Sequence, residues 1–261
     1  MKYFTGIDVG ASTTKAVIIN QEKEMIGHSV VHSGADFQHA AKKAFKRAAG
    51  EIKNEGLSKG QTISTGYGRR NVNFAQTAMT EISCHAKGSF FYFPRAHTLI
   101  DIGGQDSKII RIDNDGRRTG FKMNRKCAAG TGAFLEEIAN RLKIKIEYLN
   151  GLAQKATKDV SIGSYCTVFT ATEILTKIRQ NVLVEDIIKG IFDSVIKRAS
   201  EMDPLEGNIV MSGGVVAHNP YLVKMFEQKL GKEIFVPPLP QLTGALGAAL
   251  YALENKGGID A

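Results

Sequence analysis

Asp8-Val9-Gly10-Ala11-Ser12-Thr13-Thr14-Lys15 decides how this chain folds, because its pattern returns at Asp101-Ile102-Gly103-Gly104-Gln105-Asp106-Ser107-Lys108. Both stretches read Asp, hydrophobic, Gly, four further residues, Lys. Each follows a short hydrophobic run (3–7 and 98–100) and leads into a β-branched run (16–19 and 109–112). A strand, a glycine-containing turn and a returning strand make a hairpin. A second echo follows the first. Thr62-Ile63-Ser64-Thr65-Gly66-Tyr67-Gly68 and Asn208-Ile209-Val210-Met211-Ser212-Gly213-Gly214 each run a strand into glycines, and each is followed by a small-residue helix, at 81–88 and 244–250. Internal repetition of this kind predicts a duplicated α/β fold.

The spacing locates what differs between the copies. The hairpins lie 93 residues apart, from Asp8 to Asp101, and the strand–glycine motifs 147 apart, from Ser64 to Met211. The second copy is therefore longer by 54 residues, between its hairpin and its strand–glycine motif. We expect a first lobe at 1–95 and a second at 96–261, the latter carrying an insertion at about 117–170.

Two such loops, facing one another across a cleft, suit a triphosphate. Glycine lets backbone approach a ligand closely, and backbone N–H groups and hydroxyls donate to phosphate oxygens. On the first loop the expected contacts are Gly10, Ala11, Ser12, Thr13, Thr14 and Lys15; on the second, Asp101, Gly103, Gly104 and Gln105. Asp8 and Asp101 end their strands, where carboxylates hold Mg²⁺, usually through water. Asp8, Gln105 and Asp106 are the expected catalytic residues, with Gln105 or Asp106 orienting the attacking water. Gly213 and Gly214 would let adenosine lie against the backbone. There is no P-loop and no strand-linked G-x-G-x-x-G, so those folds are not indicated.

The bulk properties agree. The 261 residues, 43% of them hydrophobic, suffice for one large domain or two lobes. The N-terminus turns polar too early for a signal peptide, and no apolar run approaches the roughly 20 residues of a membrane span. The expected location is the cytoplasm. A net charge of +8 allows an acidic partner or nucleic acid. The basic residues are dispersed, however, with their largest cluster at Lys42, Lys43, Lys46 and Arg47 on one helix. Solvated helix faces, with no nucleic-acid partner, are the expectation.

Three cysteines are too few for a disulfide framework. Cys127-Ala128-Ala129-Gly130-Thr131-Gly132 precedes a helical pattern at 133–142. Cys166 precedes Thr170-Ala171-Thr172-Glu173, a capping-box pattern that would open another helix. Both therefore stand before helix N-termini, where the dipole and free N–H groups favour a thiolate. Both also fall in the longer interval. Zinc, an iron–sulfur cluster and simple burial all remain open. A cluster held by four thiolates would need two copies of the chain about a two-fold axis. Cys84 sits within a small-residue helix and reads as packed.

At these residues the sequence resembles the activator ATPases of 2-hydroxyacyl-CoA dehydratases, to which the ATP-binding subunits of benzoyl-CoA reductase are related. The matching stretches are 6–15, 64–69 (STGYGR), 83–88 (SCHAKG), 101–108 (DIGGQDSK), 127–134 (CAAGTGAF), 166–169 (CTVF), 211–219 (MSGGVVAHN) and 244–251 (GALGAALY). The resemblance implies the fold of actin, sugar kinases and heat-shock chaperone ATPases, with two lobes around a nucleotide cleft. It implies a homodimer with one 4Fe–4S cluster held by Cys127 and Cys166. It further implies a ferredoxin or flavodoxin as electron donor and a 2-hydroxyacyl-CoA dehydratase as acceptor, with ATP and Mg²⁺ driving the transfer. The expected nucleotide contacts extend to Gly130, Val215, Asn219, Gln241 and Gly244. One departure is 170–173, where the family commonly reads Ala-Glu-Ser-Glu, which bears on partner docking. The alternatives are a benzoyl-CoA reductase-type ATPase subunit, a small-molecule kinase of this fold, and a non-catalytic ATP-dependent assembly module.

Overall fold

The computed structural model describes residues 2–50, 60–163 and 167–254. Two five-stranded sheets carry the duplication. In the first, β1 (Phe4–Val9), β2 (Thr13–Ile19), β3 (Met25–His32), β4 (Gln61–Thr65) and β5 (Thr77–Ala78) lie in the order β3-β2-β1-β4-β5. In the second, β6 (His97–Ile102), β7 (Ser107–Ile112), β8 (Arg118–Asn124), β9 (Ile209–Ser212) and β10 (Ile234–Phe235) lie in the same order of copies, β8-β7-β6-β9-β10. The expected hairpin is present as the antiparallel β1–β2 pair, with Asp8 opposite Lys15. The strand–glycine motifs are β4, parallel to β1, and β9, parallel to β6. β1 and β6 are buried along their whole lengths, their polar residues Thr5, Asp8, His97, Thr98 and Asp101 included.

β8 takes the place in the second sheet that β3 has in the first. The insertion expected from residue 117 therefore begins beyond β8. Between Asn124 and Ile209 the described residues form α3 (Gly132–Arg141), α4 (Leu149–Gln154), α5 (Thr167–Arg179) and α6 (Val184–Met202). In the first copy, α1 (Phe37–Gly50) stands between β3 and β4. α5 opens three residues before the expected cap. Thr170 is buried inside its first turn, and Glu173 instead accepts the Gly163 N–H at 3.1 Å through each oxygen.

The chain divides into one unit of Met1–Arg95, Ile112–Arg118 and Gln241–Ala261, and another of Ala96–Arg111 and Thr119–Pro240. The C-terminal helix α9 (Thr243–Glu254) thus belongs with the first unit and not, as its place in the repeat suggested, with the second. Glycines explain this. A methyl carbon on Gly6 of β1 would collide with the Ala245 carbonyl oxygen. One on Gly88 of α2 (Glu81–Tyr92) would meet the Thr243 oxygen, and one on Gly247 the Cys84 oxygen. With hydrogens at these positions, α9 lies backbone against backbone on both β1 and α2. Ala245, Ala248 and Ala249 fill the resulting core with Phe4, Val17, Ile19 and Ile63. α1 covers the opposite face of the sheet through Ala40, Ala41, Ala44 and Ala48. The second unit has its own core, built on Phe134, Phe192, Phe226, Ile100 and Ile109. No helix among the described residues is long and apolar enough to cross a membrane.

Gly247→Ala is expected to destabilise the protein by about 3 kcal/mol, the upper range for overpacking a core. Gly151→Ala, on α4 with open space around it, should instead be neutral or stabilising by up to about 1 kcal/mol. Denaturant unfolding of both variants checks the pair, and equal effects would contradict the packing described.

Candidate functional site

In the first unit Asp8 ends β1 almost fully buried, with Lys15 Nζ 3.4 Å from its Oδ2. A buried carboxylate is costly unless a cation accompanies it, and the β1–β2 register delivers that cation. The turn between them is closed by the Gly10 N–H donating to the Thr13 oxygen at 3.1 Å. Ser33 fastens the turn from behind. Its hydroxyl donates to the Gly10 oxygen at 2.6 Å and its N–H to the Ser12 oxygen at 3.0 Å. The Thr14 hydroxyl is fully buried and bonds Ser33 at 2.9 Å, so it holds the loop and does not face a ligand. Ala11, Ser12 and Thr13 remain at the surface. Among the described residues no hydrogen bond engages the N–H groups of Ala11 and Ser12 at the tip. Gly244 is brought to Asp8 by α9: a methyl carbon there would stand 3.2 Å from Asp8 Oδ2. Gln241, half-buried, lies in the 3₁₀ turn Pro240–Leu242 that leads into α9.

In the second unit Asp101 holds the matching place. Its Oδ1 accepts the Ser212 hydroxyl at 2.7 Å, and Lys108 Nζ lies 3.4 Å from Oδ2 and 2.9 Å from Asp106 Oδ1. Lys108 is as buried as the carboxylate it serves. The turn is again closed by glycine, Gly103 N–H to the Asp106 oxygen at 2.9 Å. Gln105 is exposed at the tip. Asp106 is engaged by Lys108, which leaves Gln105 the side chain of this loop directed at solvent. Gly213 has φ +103°, and a methyl carbon there would collide with Ile102, so glycine is required beside β6. Gly214 opens α7 (Gly214–His218), with Val215 buried behind it. Asn219 is also buried, and its amide donates to the Val215 oxygen at 2.8 Å, closing α7 and not presenting itself to a ligand.

The second loop is also clipped to the cysteine segment. The Gly132 N–H donates to the Gly103 oxygen at 2.9 Å and the Ala133 N–H to the Gly104 oxygen at 2.7 Å. The Ser107 hydroxyl donates to the Gly130 oxygen at 3.1 Å. These bonds correct the expectation of free N–H groups at this helix end, because the first two donors of α3 are already taken by loop carbonyls. Gly130, at φ +80°, packs against the stem of Arg198. Cys127 lies between β8 and α3, half-buried, and its carbonyl accepts from Asn124 Nδ2 at 3.1 Å. Cys166 lies outside the described residues. Cys84 is fully enclosed between α2 and α9, and burial pushes its thiol up to about 12. It is a packing residue, as its sequence context suggested. Among the described residues no three metal-binding side chains converge.

The repeat pattern held a signal for Lys108, the counterpart of Lys15, yet its service to Asp106 as well as Asp101 was not foreseen. Ser33, Ser107 and Ser212 had no signal in local sequence. Their hydroxyls matter only because distant strands bring them to a loop.

The BadF/BadG/BcrA/BcrD ATPase family matches residues 5–252. The activator of lactoyl-CoA dehydratase from Anaerotignum propionicum is 44% identical, over 97% of this chain and 98% of that protein. The crystal structure of the Acidaminococcus fermentans (R)-2-hydroxyglutaryl-CoA dehydratase component A superposes with a TM-score of 0.90, at 41% identity, over 98% of this chain and 99% of that one. The activator of the 2-hydroxyisocaproyl-CoA dehydratase from Clostridium difficile, solved with bound ADPNP, superposes at 0.89 and 37% identity, covering 99% and 100%. A ROK family glucokinase from Streptomyces griseus, at 0.58 and 12% identity over 97% and 99%, shares the fold alone. The actin-like, sugar-kinase-like architecture that the resemblance implied is the one present, and the chain belongs to the BadF/BadG/BcrA/BcrD ATPase family.

Proposed function

We propose that this ATPase is the activator of a 2-hydroxyacyl-CoA dehydratase, coupling ATP hydrolysis to delivery of one electron. The observation that carries the reading is the clip between the 101–108 loop and the start of α3. A loop that grips phosphate through its tip is fixed, through its carbonyls, to the helix that follows Cys127. Any displacement of that loop on nucleotide binding must pull on Gly132 and Ala133, five and six residues from the cysteine. ATP shifts such an arrangement only if it binds the two positions of the loop with different affinity.

The roles of the two aspartates follow from their partners. Asp101 is saturated by Ser212 and Lys108, so it stiffens the second loop. Among the described residues Asp8 has Lys15 alone as a charged partner, which leaves its carboxylate able to hold hydrated Mg²⁺ beside the Ala11 and Ser12 N–H groups. Gln105 orients the attacking water. The remaining expected contacts, Gly213, Gly214, Gln241 and Gly244, act as backbone surfaces for the nucleotide.

The donor chemistry fits a 4Fe–4S cluster shared by a homodimer. Cys84 is excluded as a ligand by its burial and raised pKa, leaving Cys127 and Cys166 in each chain and four thiolates in a pair. Such a cluster supplies one-electron transfer at low potential. The donor would be a ferredoxin or flavodoxin, and the acceptor the dehydratase.

Anaerobically purified protein should be brown, with about four iron per dimer. Cys127→Ser and Cys166→Ser should each lose the colour, and Cys84→Ala should keep it. A colourless preparation that phosphorylates sugars would instead establish a kinase. Ser107→Ala tests the clip. Losing one hydrogen bond worth about 1 kcal/mol should leave ATP hydrolysis within about threefold while raising the ATP consumed per electron severalfold. An unchanged ratio would separate the loop from the electron-transfer step.

A further inference from the structure

Asp8 has a neighbour that the phosphate-loop chemistry leaves unused. His85 stands on α2 and is 6% exposed. Its helix is pressed onto α9 at Gly88 and Gly247, and this contact sets Gly244 beneath two groups at once. A methyl carbon on Gly244 would stand 2.8 Å from His85 Nε2 and 3.2 Å from Asp8 Oδ2. The imidazole nitrogen and the carboxylate oxygen are therefore at most about 6 Å apart, the most those two distances allow. No hydrogen bond or ion pair joins the two directly, and a single water spans such a distance.

The duplication supplies the second half of the argument. Asp101 is registered against Ser212 on the neighbouring parallel strand and accepts its hydroxyl at 2.7 Å. Asp8 is registered against Thr65 in the same way, yet no hydrogen bond joins the Thr65 hydroxyl to it. In the second copy a strand hydroxyl fixes the carboxylate. In the first copy that bond is absent, and an imidazole from a helix stands beside the carboxylate instead.

We infer that His85 is the positioning residue for Asp8. Its Nε2 orients the carboxylate, through one bridging water, in the attitude in which Asp8 serves hydrolysis. Lys15 supplies the compensating charge and His85 the direction. Gly244 is the spacer that keeps the two in reach, since any side chain there would wedge imidazole from carboxylate. The inference rests on the role proposed above for Asp8.

Steady-state ATP hydrolysis by the full-length chain, with ADP affinity measured by calorimetry, tests it in three variants. His85→Leu keeps the volume and removes the polar nitrogen. It should lower kcat on the order of 10²-fold, the effect of small misplacements at a reacting centre, with KM for ATP changed less than about threefold. His85→Gln places an amide near the Nε2 position and should recover kcat to within about tenfold of wild type. Gly244→Ala, which touches neither side chain covalently, should lower kcat as His85→Leu does. Circular dichroism reports whether each variant folds, and the other two carry the test if His85→Leu does not. Wild-type kcat in His85→Leu would overturn the inference. So would a glutamine variant as impaired as the leucine one, or an equal loss of nucleotide affinity. A wild-type chain that hydrolyses ATP beside an unimpaired His85→Leu would sink this inference alone; a wild-type chain inactive toward ATP would sink the role of Asp8 with it.

Discussion

A carboxylate buried at the end of a strand is the constraint on which both units depend. Moving an ion out of water costs several kcal/mol even after the protein relaxes, and the cost is met only by a partner of good geometry. Here the partner is built into the covalent pattern. Asp8 and Lys15 face each other across the β1–β2 ladder, and Asp101 and Lys108 recur at the same spacing. The lysine cannot be exchanged for a distant one, because the register that brings it also fixes the turn between. Removing either partner would leave a buried charge uncompensated, at a cost of about 3–5 kcal/mol. The glycines that follow have the same origin. Gly66 and Gly213 carry positive φ next to the two aspartates, because a side chain at either place would strike the strand that ends in the carboxylate.

The two copies then diverge in how completely they satisfy the carboxylate. Asp101 is closed off by Ser212 and by a lysine as buried as itself, and Asp106 is drawn onto that lysine too. A group so saturated makes a rigid element. Among the described residues Asp8 keeps a single ionic partner, over a glycine floor. The carboxylate of the second loop is thus held more completely than that of the first, although both loops descend from one pattern.

How much of this could be read from sequence follows from the range of the interactions. The hairpins, the strand–glycine motifs and the extra length of the second copy were legible because each is local and repeated. The return of α9 to the first unit was not, because it depends on hydrogens at Gly6, Gly88 and Gly247 meeting backbone oxygen or nitrogen from remote segments. The cap of α5 was misplaced because Glu173 has a better use, the Gly163 N–H, than the reciprocal bond of a capping box. Thr14 suited a phosphate contact by residue type, and Asn219 was a nucleotide contact that the resemblance implied. Both turn out to be spent internally, on Ser33 and on Val215. Polar residues next to a site serve the loop before they serve the ligand, and only the three-dimensional partners show which.

The clip at α3 joins the second loop to the segment that begins at Cys127. A helix start normally leaves its first N–H groups for water or a ligand. At α3 the donors of Gly132 and Ala133 go to the carbonyls of Gly103 and Gly104, so that end of the helix is fastened to the loop. The loop uses its two sides differently. Its carbonyls are held by the helix, while among the described residues no hydrogen bond engages the Gly104 and Gln105 N–H groups. A peptide unit is planar, so rotating it to aim an N–H also moves its carbonyl. On the reading proposed above, phosphate gripped by one side of this loop would be felt on the other, by the segment that begins at Cys127. A nucleotide would then act, through these peptide planes, on a residue it does not touch.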